Sequence, residues 1–149
     1  MPKVHDSWTV LPHEPMEEID DGLLTVAGDI PMPLGNFPRR MTVIGLGGHR
    51  TAIWSAIALE TPEMARIEGL GTPSFLIVPN RAHRLDVKIW KARYPAIKVL
   101  APPSARSAVE EVVPVDATTD IISDPDLAFM TVAGAKEDEF ALTVRRASG

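Results

Sequence analysis

The chemistry this chain could perform is limited first by its imidazoles and thiols. Histidine occurs four times, at His5, His13, His49 and His83, and cysteine is absent. Without thiols there can be no disulfide, no thiolate nucleophile and no Cys-ligated zinc or iron–sulfur site. No two histidines stand in an H-x-H, H-x3-H or H-E-x-x-H relation, so the sequence carries no local zinc motif. His83 has the most suggestive setting: it follows the apolar run "SFLIV" and precedes Asp86 by three residues. On a helix that spacing puts both side chains on one face. Such a pair reads either as an acid–base couple or as an arrangement capping the helix start, and capping is the commoner use. His5 and His13 stand beside Asp6 and Glu14 in a proline-flanked segment, and His49 in a Gly-Gly turn, settings that predict solvent exposure.

Other nucleophile and phosphate-binding signals are weak. There is no G-x-S-x-G elbow, and "GLGGH" matches neither a dinucleotide fingerprint nor a phosphate loop. Carboxylates collect at Asp116, Asp120, Asp124, Asp126, Glu137, Asp138 and Glu139, but not with the spacing of a calcium loop, so acidic turns are expected.

The elements that would position these groups follow from apolar pattern and punctuation. "WTVLP" suggests a short edge strand, and "GLLTVAGDI", entered through "DDG", a firmer one. Residues 28–38, with three prolines and two glycines, predict a loop. "RRMTVIGL" and "TAIWSAIAL" read as a hairpin closed by "GGHR". Thr61 as cap, Pro62 at the first helical position and Glu63 behind it open a helix over "PEMARIEGL", with Met64, Ile67 and Leu70 facing the core. "SFLIV" has the continuous apolarity of a strand buried on both faces and stops at Pro79. A helix from about Ala82 to Tyr94 carries Leu85, Ile89 and Trp90 inward, and "IKVLA" is the next strand. Strand, helix and strand in this order form a parallel crossover, whose carboxyl ends place Asn80 and residues 101–104 at one edge. Ser104 is a candidate cap for "ARSAVEEV", and "LAFMTVAG" and "EFALTVRR" are the last strands.

The length suits one domain with a real core. Fifteen Lys and Arg against twenty Asp and Glu give a net charge of -5, which argues against nucleic acid as partner. The basic run Arg81, Arg84, Lys88, Lys91 and Arg93 reads as a solvated helix face. No apolar leader or membrane-length run is present, so no membrane role is expected and a cytoplasmic location is the default.

The order of elements, with "LGTPSFLIVPN", "HRLD" and "WKARYPAIKVLAPP", resembles an uncharacterised family of degenerate metallo-β-lactamase relatives over roughly residues 19–149, residues 1–18 forming an N-terminal extension. The resemblance implies a mixed α/β chain: the N-terminal half to two-thirds of an αββα sandwich. In that fold a metal loop H-x-H-x-D-H follows a buried strand. Counted from Asn80, its ligand positions are Asn80, Ala82, Arg84 and Leu85, none of them a usual ligand there. Another register recovers at most one match in four. A later P-G-H-T-like turn has Gly134 for its glycine but Ala135 at its histidine. A catalytic zinc needs about three protein ligands around an open position; zinc, or any other cofactor, is therefore not expected.

The leading expectation is thus a metallo-β-lactamase-like protein without the binuclear site, serving a non-catalytic or interaction role. The alternative is a hydrolase acting on a small ester or anionic substrate, with His83 and Asp86 as catalytic groups and Asn80 and Arg84 as binding groups. Half a sandwich leaves an apolar sheet face to be covered, so a homo-oligomer, or a C-terminal segment beyond this sequence, is expected.

Overall fold

The computed structural model describes residues 4–133 and 139–146. Its central sheet has six strands in sequential order: β1 (Glu17–Asp20), β2 (Leu23–Met32), β3 (Gly35–Leu46), β4 (Arg50–Trp54), β5 (Thr72–Ile77) and β6 (Lys98–Leu100). The first four pair antiparallel, while β5 lies parallel to both β4 and β6. That change follows from the connections: hairpin turns join the early strands, whereas helices α1 (Thr61–Leu70) and α2 (Val87–Arg93) carry the chain back before β5 and β6.

Side chains alternate across the sheet, so each strand serves two cores. One face gathers Val26, Met41, Ile53 and Leu76 under Met64 and Ile67 of α1, Trp90 of α2, and Val109 of α3 (Arg106–Glu110). The opposite face gathers Ile44, Ala52, Phe75, Ile77 and Leu100 under a separate antiparallel pair, β7 (Leu127–Val132) and β8 (Glu139–Val144), through Leu127, Phe129 and Phe140. The described residues therefore form three layers, α, β and β. On the outer face of β7, Met130 and Val132 are 67% and 42% exposed. Gly71 joins α1 to β5 against the start of β4; a Cβ there would stand 2.8 Å from the backbone N and C of Arg50.

Several expectations need correction. Residues 28–38 do not loop: β2 and β3 continue as a long hairpin, with Pro31 opposite Asn36 and Asp29 opposite Pro38. The prolines are tolerated because β4 pairs only with Thr42 onward and the bonds along the outer side of β2 end at Asp29, leaving Pro31 and Pro38 on edges where no ladder donor is needed. "WTVLP" forms no strand; the N-terminal segment instead runs beside β2 by single bonds, Glu14 N–H to Ala27 O at 2.7 Å and Asp29 N–H to Pro12 O at 2.9 Å. The strand expected through residue 59 ends at Trp54, and residues 55–59 continue without strand pairing. The helix expected from Ala82 is split into a 3-10 turn (Arg81–His83) and α2. Glu60, not Thr61, is the N-cap of α1, and Ala105, behind a second 3-10 turn (Pro103–Ala105), is that of α3, so Ser104 is not its cap. In residues 4–16, Trp8 donates from Nε1 to Leu59 O at 2.8 Å and lies against Trp90.

Candidate functional site

Parallel strands bring their carboxyl ends, and the loops that leave them, to one edge. At that edge β4 runs into Ser55, whose backbone takes the left-handed region at φ 58°. For a residue with a Cβ this costs roughly 1–2 kcal/mol. The surroundings enforce it: Ser55 N–H donates to Ile77 O at 3.0 Å, and its side chain is held on the other side by a hydrogen bond between Oγ and His83 Nδ1. His83 is placed in turn by Asn80, which caps the 3-10 turn by accepting the Ala82 N–H on Oδ1 at 2.9 Å. The other end of Asn80, Nδ2, donates to Glu139 Oε2 at 3.0 Å, linking the loop to β8.

His83 and Asp86 do not form a pair. Because the helix breaks between them, His83 reaches the end of β4 while Asp86 turns into the interior, where its side chain has no exposure. Asp86 is also not a side-chain cap for α2. Its Oδ2 accepts from Arg39 Nη1 and from the Ala58 N–H, both at 2.9 Å, and Oδ1 lies 2.6 Å from His5 Nδ1. A buried carboxylate is retained only when its charge and lone pairs are met, and here a cation, a backbone amide and an imidazole meet them. The expectation that His5 is solvent-exposed is overturned: its side chain is 18% exposed and bound to this buried group. His49, by contrast, is exposed in its turn.

Arg39, which no motif or spacing singles out, completes the arrangement. Its side chain is 8% exposed, and its Nε is buried without a hydrogen-bond partner among the described residues. With Ser55, His83, Ile30, Phe37 and Leu85 it lines a cavity of about 160 Å³. Ile30, Phe37, Ala82 and Leu85 also line a neighbouring cavity of about 210 Å³, which continues to Val4 and Met32. On the other side Arg39 and His83 border an open depression reaching Glu14, Asp29 and Arg40. Arg84 lines the apolar cavity, while its guanidinium is spent on Arg81 O, Ala108 O and Glu111 Oε2 at 2.9, 2.7 and 3.2 Å.

Burial holds the His83 imidazole below its ordinary value near 6.5; Arg39 pushes the same way and Glu139 opposes. His83 is therefore neutral at pH 7 and can accept a proton. In the unfolded chain it binds protons more readily, so folding stability should be fully present above about pH 6.5 and fall as the pH drops from there through the folded-state value. Chemical denaturation of wild type and His83→Gln at about pH 7.5 and about pH 5 checks this. Wild type should lose the more stability of the two; equal losses would contradict the assignment.

Asp120 and Asp124 close local turns, whereas Asp116 and Asp124 also hold amides distant in the chain. Asp116 Oδ2 accepts the Val99 N–H, Asp120 Oδ1 the Ile122 N–H, and Asp124 those of Gly47 and Asp126. Glu137 and Asp138, like Gly134 and Ala135, lie outside the described residues. Among the described residues no three His, Asp or Glu side chains stand close enough together to hold a metal ion. The metal pair that the fold implies does not fit the loop after β5. Asn80 is used as a cap, His83 is bonded to Ser55, and the one carboxylate there, Asp86, is surrounded by its own donors.

The fold is that of the metallo-β-lactamases, of which this chain spans about two thirds. It is similar to a metallo-β-lactamase from Hirschia baltica (TM-score 0.64, 17% identity, covering 88% of this chain and 66% of that one). It is likewise similar to one from Erythrobacter litoralis (TM-score 0.66, 17% identity, 87% and 65%). A third similar structure is the DIM-1 metallo-β-lactamase (TM-score 0.70, 11% identity, 91% and 67%). No protein-family model matches the sequence, and no curated protein matches it. No helix among the described residues is long and apolar enough to cross a membrane.

Proposed function

We propose that this chain is a metallo-β-lactamase-fold protein that works without a metal pair and uses the edge pocket of Arg39, Ser55 and His83 to bind a small molecule bearing a carboxylate or ester oxygen. The observation that carries this reading is Arg39, which lines the cavity and whose buried Nε–H has no acceptor among the described residues. A buried donor left unpaired costs about 1–3 kcal/mol, a penalty that an incoming oxygen relieves. Asp86 acts as a positioning residue in this scheme, fixing the Arg39 guanidinium through Nη1 beside the pocket. Asn80 positions His83, and Arg84 supports the wall of the adjoining cavity.

The test is a titration of isotope-labelled protein with hexanoate, followed by backbone amide shifts. The shifts should centre on Arg39, Ser55, Ala56 and His83. Arg39→Lys keeps the charge beside Asp86 but loses the Nε donor, and should weaken binding about tenfold or more, as expected for one charge-assisted hydrogen bond. Shifts centred elsewhere, or an Arg39→Lys variant that binds as wild type does, would refute the reading.

A further inference from the structure

We propose that Ser55 is a nucleophile and His83 its base, so that the pocket hydrolyses carboxylic esters whose acyl part is an apolar chain. The proposal rests on the binding reading above and adds chemistry and a substrate class to it.

Ser55 has three attributes that an ordinary buried serine lacks together. Its backbone is held in a left-handed conformation at a strand end, its hydroxyl lines a cavity, and that hydroxyl is hydrogen-bonded to an imidazole. Strain of this kind persists only where the surroundings over-determine it, and it concentrates at working sites. A hydroxyl is a weak nucleophile unless an adjacent base takes its proton, and His83, kept neutral by burial, is such a base. The charge of Glu139, fixed by Asn80, favours the imidazolium that forms during the reaction. Arg39, which lines the same cavity, supplies the positive charge that meets a developing oxyanion.

The steps balance with water as the only co-reactant. Ser55 Oγ attacks the ester carbonyl carbon while its proton passes to His83 Nδ1, and the carbonyl oxygen, now negative, is held by Arg39. Collapse breaks the bond to the alcohol oxygen, which leaves with the proton from His83 and gives an acyl-serine. Water then attacks the acyl carbon, giving a proton to His83. Ser55 Oγ departs and recovers that proton, and the carboxylic acid is released.

The class of acyl group follows from what adjoins the hydroxyl. The cavity of about 210 Å³ is walled by Val4, Ile30, Met32, Phe37 and Leu85, and shares three of these with the Ser55 pocket. Together the two volumes reach the lower end of the roughly 300–1,000 Å³ typical of small-molecule sites. A straight carbon chain attached to the carbonyl fits this shape: polar at one end, apolar along its length.

The experiment is hydrolysis of p-nitrophenyl acetate, butyrate and hexanoate in EDTA, together with fluorophosphonate labelling read by peptide mass spectrometry. Wild type should turn over the hexanoate ester about tenfold or more faster in kcat/KM than the acetate, and the label should fall on the peptide containing Ser55. Ser55→Gly adopts the left-handed backbone without strain, so it should fold; it should lose at least about 100-fold in kcat, as should His83→Gln, while Ser55→Gly still binds hexanoate. Turnover by Ser55→Gly equal to wild type, label on another residue, or hexanoate binding without any turnover by wild type would overturn the nucleophile while leaving the binding reading intact. Failure of wild type to bind hexanoate at Arg39 would overturn both.

Discussion

Asp86→Ala should destabilise the chain by roughly 3–5 kcal/mol, the usual cost of removing one partner of a buried ion pair and stranding the other. Three donors would be left without their acceptor: Arg39 Nη1, the Ala58 N–H and the His5 ring. These belong to β3, to the segment that follows Ser55 and to the N-terminal segment, so the loss would be felt in three parts of the chain at once. Urea denaturation measures it directly, and the thermal midpoint should fall by on the order of 10 °C. Asp86→Asn retains an acceptor for the Ala58 amide and should cost less than the alanine change. A loss below about 1 kcal/mol in Asp86→Ala would show that the carboxylate contributes no more than an exposed ion pair does.

Trp90→Ala should cost a comparable amount, about 3–5 kcal/mol. The ring is fully buried under the sheet, with centroids 5.7 Å from Trp8 and 5.5 Å from Tyr94. Its removal opens a cavity and takes away the surface on which Trp8, and with it the segment carrying His5, is seated. Trp90→Phe should be far milder, because most of the ring volume remains and the Nε1–H being deleted is buried without a partner among the described residues. Circular dichroism melts of the two variants decide the matter: near-equal midpoints would mean that ring volume is not what the site requires.

What the sequence reveals, and what it conceals, divides by distance along the chain. "SFLIV" and "IKVLA" announce buried parallel strands because continuous apolarity and flanking prolines are local signals, and β5 and β6 stand where those runs place them. The hairpin at residues 31–38 is concealed by its prolines, which break a central strand but are harmless on a free edge; edge status is a property of the assembled sheet. The site is less legible still. His83 stands out by its place after a strand, yet its partner Ser55 is 28 residues away, and Asp86 is joined to Arg39 across 47 residues and to His5 across 81. No spacing rule operates over such separations. The three-residue spacing of His83 and Asp86 brings them onto one face only in an unbroken helix, and the break between the 3-10 turn and α2 removes that geometry.

Arg39, Ser55 and His83 are the groups through which we propose that this fold works here, instead of through a metal pair. The most direct measurement is calorimetric titration of zinc into EDTA-treated protein, paired with hexanoate titrations with and without EDTA. No stoichiometric zinc uptake and the same hexanoate affinity in both buffers are expected. One or two equivalents of tightly bound zinc, or acid binding that disappears with EDTA and returns with zinc, would contradict it.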